Sequence, residues 1–302
     1  MPETIQIMTF NLRYASGPDG ENAWRNPNQT PNRKLVARNL FTAHQPDVVG
    51  LQEGEDEQLD ELAALLPHLQ FIRAKPSGGR GNENAAIAWN PEKMDLLDRG
   101  VFALSEKPGP DFADSAGEPF DPYAFFPGLK YPFPRIVIRA RFRWRSTGQL
   151  FHFYSTHFDL NEDPQTRSAA LIVRDAQRRA SHPDGAPLAI VCGDFNSAPT
   201  DDAWKLFTGS LSRDGARGDF RDSWTDSREP SEDAGTYHDF HGGRPPSRWR
   251  IDWILHRGGF AARDAIILYD IAEATNNSTG ATRAQLPSDH YPVWARLQFP
   301  TD

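Results

Sequence analysis

Residues 190–199 read IVCGDFNSAP, an apolar run closed by an acid, an aromatic and an amide. Side chains two apart in an extended chain point the same way. Asp194 and Asn196 are therefore expected to project together at a strand's carboxyl end, where open α/β sheets keep their chemistry. Four more segments end strand-like runs in groups suited to metal or phosphate chemistry: MTFNLRY with Asn11, VVGLQE with Glu53, FYSTHFD with His157, and LPSDHYPV with Asp289 and His290. RIDWIL sets Asp252 inside an apolar run, where a carboxylate needs a charged or hydrogen-bonded partner. Taken singly, each acid is equally a turn residue, His157 equally a core histidine, and Asp252 equally a buried acid bonded to backbone amides. Together they match what phosphate-ester hydrolysis requires: a cation, a general base for water, and donors for the equatorial oxygens. Oxygen ligands and histidine–carboxylate pairs without a Cys–His cluster point to magnesium, with manganese as the alternative, rather than to thiolate-bound zinc.

The elements that must position these groups alternate along the chain. Residues 5–10 read as a strand, 33–44 as a helix with apolar residues at helical spacing, PDVVGLQE as a strand, and about 55–66 as a helix ending before Pro67. AAIAWN, IVIRARFRW and LFHFYSTHF read as strands, followed by an amphipathic helix from Asp163, its expected N-cap, to about His182. APLAIVCGDFN, a helix near 200–208, RIDWILH and PVWARLQF complete the series. Without a strict βαβ rhythm, this pattern predicts two facing mixed β-sheets flanked by helices, an α/β (α+β) four-layer sandwich formed by one domain over residues 1–302. Two long irregular stretches, 105–134 and 226–250, lack the composition of disordered linkers and are expected to pack over a site. GGRG at 78–81 reads as a turn, because no Gly-Lys-Ser/Thr follows it. His238 and His241 read as solvated or substrate-facing loop histidines.

The combination of LQE, GDFN and a terminal SDHYPV resembles the endonuclease/exonuclease/phosphatase superfamily, the fold of pancreatic deoxyribonuclease, over essentially the whole chain. The resemblance implies that Asn11, Glu53 and Asp289 hold a divalent cation. It implies that Asp194 orients and deprotonates the attacking water, with Asn196 fixing the geometry. His290, supported by Asp252, and His157 would contact the phosphate from either side. Glu83, in GNENAAIAWNP, stands where some family nucleases keep a carboxylate that pairs with the second histidine, and Arg135, in FPRIV, would add a phosphate contact. Abasic-site nucleases of the superfamily usually carry an aspartate where this chain has Arg13.

A net charge of −8 argues against a surface that attracts polyanions as a whole. Apolar runs fall short of the roughly 20 residues that span a bilayer, so no stable membrane association is expected. The single cysteine, Cys192, excludes an intramolecular disulfide and favours a reducing cytoplasm. The expected activity is magnesium-dependent hydrolysis of a small or modest-sized phosphate ester, a diester ahead of a monoester. The alternative is a DNA or RNA nuclease using Arg244, Arg248, Arg250 and the series Arg139, Arg141, Arg143 and Arg145, although half-exposed strand positions also explain that series. A catalytically inactive binding module comes last, because no ligand or base is missing.

Overall fold

Runs such as Asn84–Trp89 and Leu188–Asp194 are buried at every position, which requires cover on both faces of a sheet. The computed structural model provides that cover; it describes residues 2–76, 83–113, 119–121, 123–127, 134–182, 185–227, 234–269 and 272–301. In chain order the elements are β1 (Thr4–Asn11), β2 (Gln29–Thr30), α1 (Arg33–His44), β3 (Val48–Gly54), α2 (Asp56–Leu65), β4 (Gln70–Ala74), β5 (Asn84–Trp89), β6 (Met94–Ala103), β7 (Ile136–Trp144) and β8 (Leu150–His157). They continue as α3 (Glu162–Ser181), β9 (Leu188–Asp194), α4 (Asp202–Thr208), β10 (Arg221–Asp222), α5 (Ser223–Ser227), β11 (Asp252–Arg257), β12 (Ala261–Ile267), β13 (Ala272–Asn276), β14 (Thr282–Gln285) and β15 (Val293–Gln298).

Two six-stranded sheets, ordered β12-β15-β1-β3-β5-β4 and β10-β11-β9-β8-β7-β6, face each other, and β14-β13-β2 form a small third sheet. Side chains such as Ile7, Val48 and Ile87 from the first sheet meet Ile138, Phe151 and Ile254 from the second in one core. The outer face of the first sheet buries Met8 and Val49 with Ala37, Leu40 and Leu59 of α1 and α2. The outer face of the second buries Val137 and Val191 with Ile172 of α3 and Phe207 of α4. The expected four-layer architecture is thus present. Among the described residues no helix is long and apolar enough to cross a membrane.

Departures from the sequence reading lie mainly at the edges. β4, β6 and β12 are edge strands that simple alternation does not reveal. β6 has an exposed middle and slips register between Leu96 and Asp98, and β12 slips between Ala262 and Asp264. Such bulges break the two-residue period. Helix α3 begins at Glu162, with Asn161 in the N-cap position, two residues earlier than the expected Asp163 cap. Asp159 holds that entry by accepting from the backbone and side-chain N–H groups of Asn161. The described part of the 105–134 stretch packs in part against α3 and the second sheet. Phe112 and Phe126 are buried beneath it, and Ala113 donates its N–H to Asp175 of α3. The 78–81 turn lies outside the described residues, as do parts of both long stretches.

The sheets approach most closely at Gly50. A Cβ there would lie 2.4 Å from Cys192 Sγ and 3.0 Å from Ser155 Oγ of the opposing sheet. Beside it, Gln52 accepts from Thr9 Oγ1 and donates to Ser155 Oγ, a polar tie between the sheets just below the strand ends. Gly50→Ala is expected to destabilise the fold by about 1–3 kcal/mol through overpacking. In denaturant unfolding, Cys192→Ala combined with it should cost less than the sum of the two single changes. Strict additivity would contradict this contact.

Candidate active site

One rim of the sandwich collects the polar groups because each sheet has a parallel pair at its centre. β1 runs parallel to β3 and β8 parallel to β9, so Asn11, Glu53, His157 and Asp194 all stand at carboxyl ends on the same side. Antiparallel β11 begins there with Asp252, whose Cα is the register partner of Asp194. Arg135 and Glu83 precede the antiparallel strands β7 and β5, and Asp289 and His290 lie just ahead of β15. The ten residues expected to form the site, Arg135 and Glu83 included, reach this rim. Most line one cavity of about 630 Å³; Asn11 and Asp252 lie behind its wall and bond to residues that do.

Asp194 is almost wholly buried and sits at the centre. Its Oδ1 accepts the Asn196 N–H at 2.9 Å, and its Oδ2 accepts Asn11 Nδ2 at 2.9 Å. His157 Nε2 and His290 Nε2 stand 3.4 and 3.7 Å from the same Oδ2. Burial pushes this carboxyl up to about 7; the charge of Asp252 adds to the rise, and the charge of His290 and the two amide hydrogen bonds oppose it. His290 Nδ1 lies 2.9 Å from Asp252 Oδ2. Burial alone would favour neutral His290, but the charges of Asp252 and Asp194 win and hold its pKa well above the usual value. His157 behaves oppositely: burial, with Arg135 and His290 adding, keeps it neutral. The rim therefore holds one imidazolium and one neutral imidazole on either side of a single carboxylate.

Three residues next to the strand ends adopt left-handed backbone: Arg13 at φ 52°, Glu53 at φ 61° and Asn196 at φ 47°. Non-glycine residues in that region cost of order 1–3 kcal/mol each and cluster at functional sites. Each is held by hydrogen bonds to the rim. Arg13 N–H donates to Asn11 Oδ1, Tyr14 N–H to Glu53 Oε2, and Asn196 Nδ2 to the Phe158 carbonyl. Arg13 was not among the residues singled out for the site. Its guanidinium is gripped by Asp19, stands 3.7 Å from Asp289 and lines the cavity. The signal for it was its place two residues after Asn11.

Several expected pairings take a different form. Asn11, expected among the cation's oxygen donors, is fully buried. Its Nδ2 spans Asp194 and Glu53 Oε1 (3.0 Å), while its Oδ1 takes the Arg13 amide. Glu83 does not pair with His157, whose carboxylate neighbour is Asp194. Burial raises Glu83 to about 7 and Glu53 adds to it, against Arg135 and Arg13. Asp289 is likewise raised by burial and by Glu53, against His290 and Arg13. His238, expected to be solvated or substrate-facing, is buried with its ring 4.0 Å from that of Tyr291. On β7, Arg139 pairs with Asp98, and Arg143 and Arg145 pair with Asp95, which neutralises much of that basic series.

Glu53, Asp194, Glu83 and Asp289 thus line one cavity, and a ligand atom from each of Glu53, His157 and Asp194 falls within 4.8 Å of the others. This oxygen-rich donor set fits a hard divalent cation.

Comparison with known proteins bears on the same rim. The model of the endonuclease/exonuclease/phosphatase family matches residues 8–290. Among solved structures, an endonuclease/exonuclease/phosphatase family protein from Bacteroides thetaiotaomicron is 25% identical over 100% of both chains, with a TM-score of 0.80. A mannosyl-6-phosphatase from Bacteroides thetaiotaomicron is 25% identical over 98% of this chain and 100% of its own, with a TM-score of 0.79. The human nocturnin catalytic domain with bound sulfate, 18% identical over 99% of this chain and 94% of its own at a TM-score of 0.67, is alike in fold. No curated protein sequence gives a significant match.

In the metal-free protein the Asp194 carboxyl ionises at about 7, against 3.8 ordinarily. Unfolding therefore releases a proton between those values, and the group's contribution to stability declines as pH rises through that window. Asp194→Asn removes this decline. Melting in the presence of a chelator should show the variant gaining on the wild type by several degrees between pH 4 and pH 7. A difference independent of pH would contradict the assigned burial of the charge.

Proposed function

The chain belongs to the endonuclease/exonuclease/phosphatase family, and from that premise we propose that it is a magnesium-dependent hydrolase of a small phosphate ester, acting as one domain in a reducing cytoplasm. Members of the family are metal-dependent phosphoester hydrolases. The observation that carries the reading is the Asp194 carboxylate flanked by the Asp252-backed imidazolium of His290 and the neutral imidazole of His157.

Glu53 and Asp289, with Asp194 beside them, would hold the cation, which when bound neutralises phosphoryl oxygens as a Lewis acid. Asp194 would accept the proton of the attacking water, its proton affinity raised by burial in the metal-free protein and lowered again by a bound cation. The Asn196 N–H and Asn11 Nδ2 fix the carboxylate, so it is already oriented when the water is deprotonated. His290 donates from Nε2 to a phosphoryl oxygen, where its charge opposes the negative charge that develops. Asp252 holds its other nitrogen and keeps the ring charged. His157 adds a neutral donor, and Arg135 a cation on the cavity wall.

The sequence reading placed a diester ahead of a monoester. Similarity across the full chain to a mannosyl-6-phosphatase supports the reverse order. The nuclease alternative loses support from β7, whose Arg139 and Arg143 are partnered by Asp98 and Asp95, and from Arg250, which is buried against Asp222. The inactive-module reading is opposed by the completeness of the rim.

A panel of mannose 6-phosphate, glycerol phosphate, bis(nitrophenyl) phosphate and plasmid DNA tests this reading. Monoester turnover should exceed diester turnover, stop on chelation and return with magnesium. Asp194→Ala should lower kcat by about 10²–10⁴, the size of a lost general base, with folding retained. Plasmid cleavage that is lost in the variant, with no monoester turnover, would overturn the small-substrate reading.

A further inference from the structure

We propose that Tyr237 and Trp249 form the platform on which the alcohol half of the substrate rests, and that this half is a sugar ring; the inference rests on the phosphate-ester reading above. Both side chains line the catalytic cavity. Their rings are 5.8 Å apart, and the Tyr237 ring is 5.0 Å from that of His290. Trp249 is 42% exposed, although tryptophan ordinarily buries most of its large surface. It sits at the end of a short 3₁₀ turn, Ser247–Trp249, none of whose residues is buried. The core therefore does not account for an indole at this position.

The platform is fixed to the catalytic pair through one buried residue. Thr236 N–H and Tyr237 N–H both donate to the Trp249 carbonyl, at 2.9 and 3.1 Å. Thr236 Oγ1 donates to the same carbonyl at 3.1 Å and accepts from Ile251 N and Asp252 N at 3.1 and 3.2 Å. Tyr237 bridges antiparallel to His290, and Tyr291 N–H donates to the Thr236 carbonyl. The aromatic faces are thus held in register with His290 and Asp252, as a subsite for the group attached to the phosphate requires.

The rest of the wall sets polar Ser16, Glu83, Arg135 and Asn196 among apolar residues such as Pro134 and Leu160. A body with an apolar C–H face and a hydroxyl-bearing edge suits aromatic rings on one side and these groups on the other. A linear polyol lacks the face, and in a nucleotide the ribose carries a planar base in place of one ring hydroxyl. The carboxylates of Glu53, Glu83 and Asp289 favour a neutral polyol body over one bearing further phosphates.

The test is calorimetric binding of mannose 6-phosphate, glycerol phosphate and adenosine monophosphate, alongside turnover, for wild type, Trp249→Ala and Trp249→Phe. The wild type should bind the sugar ester in preference to both others. Trp249→Ala should reduce the sugar-to-glycerol affinity ratio roughly 3- to 10-fold, the size expected for losing one aromatic contact, with the loss in KM rather than kcat. Trp249→Phe should restore most of it. An unchanged ratio overturns the platform, and preferential binding of the nucleotide, whose ribose carries a base, overturns the assignment of a free sugar. A ratio that collapses in a protein without turnover keeps the platform and refutes the hydrolase reading instead.

Discussion

The arrangement depends on keeping the Asp194 carboxylate buried between two sheets. A carboxylate removed from water is tolerated only when paired and hydrogen-bonded, and the rim is built from the groups that meet this demand. The Asn196 amide holds one oxygen. Asn11 holds the other and reaches Glu53 with its second hydrogen, tying Asp194 in one sheet to Glu53 in the other. Two histidines approach from β8 and from the segment before β15. Because these partners only partly offset the burial, the carboxyl stays poised near neutral pH instead of settling as an inert ion.

The fold meets this constraint through its topology. A parallel pair in each sheet points four strand ends at the same rim, and antiparallel neighbours begin where those strands stop. Close approach at Gly50 and the Thr9–Gln52–Ser155 tie keep the two sheets in register below the site. At the rim the chain turns through left-handed residues at Arg13, Glu53 and Asn196, each secured by a hydrogen bond nearby. Arg33, fully buried, pins Asp19 and the carbonyls of Arg13 and Tyr14, so the loop after β1 is anchored from beneath.

What the sequence reveals follows how strongly each residue's surroundings constrain it. Helix α1 is legible because its one buried face needs periodic apolar residues, and the central strands because cover on both faces needs continuous ones. The edge strands β6 and β12 are not, because one side meets solvent and a bulge shifts the period. The convergence of Asp194, His157, His290, Asp252 and Glu53 is legible because short polar residues interrupt apolar runs at strand ends. Pairings between segments are less so: Glu83 faces Glu53 and two arginines rather than His157, and Thr236 carries no sign in the sequence that it joins Trp249 to Asp252. In the described part of the 105–134 stretch, expected to pack over a site, Phe112 and Phe126 are buried against α3 and its sheet while Tyr123 and Phe125 are exposed.

The central claim is that water positioned by Asp194 attacks phosphorus. Hydrolysis of a small phosphate monoester in ¹⁸O-labelled water, followed by mass analysis of both products, tests it most directly. The account predicts one labelled oxygen in the released phosphate and none in the alcohol. Label in the alcohol, or no phosphate released in the presence of magnesium, would contradict it.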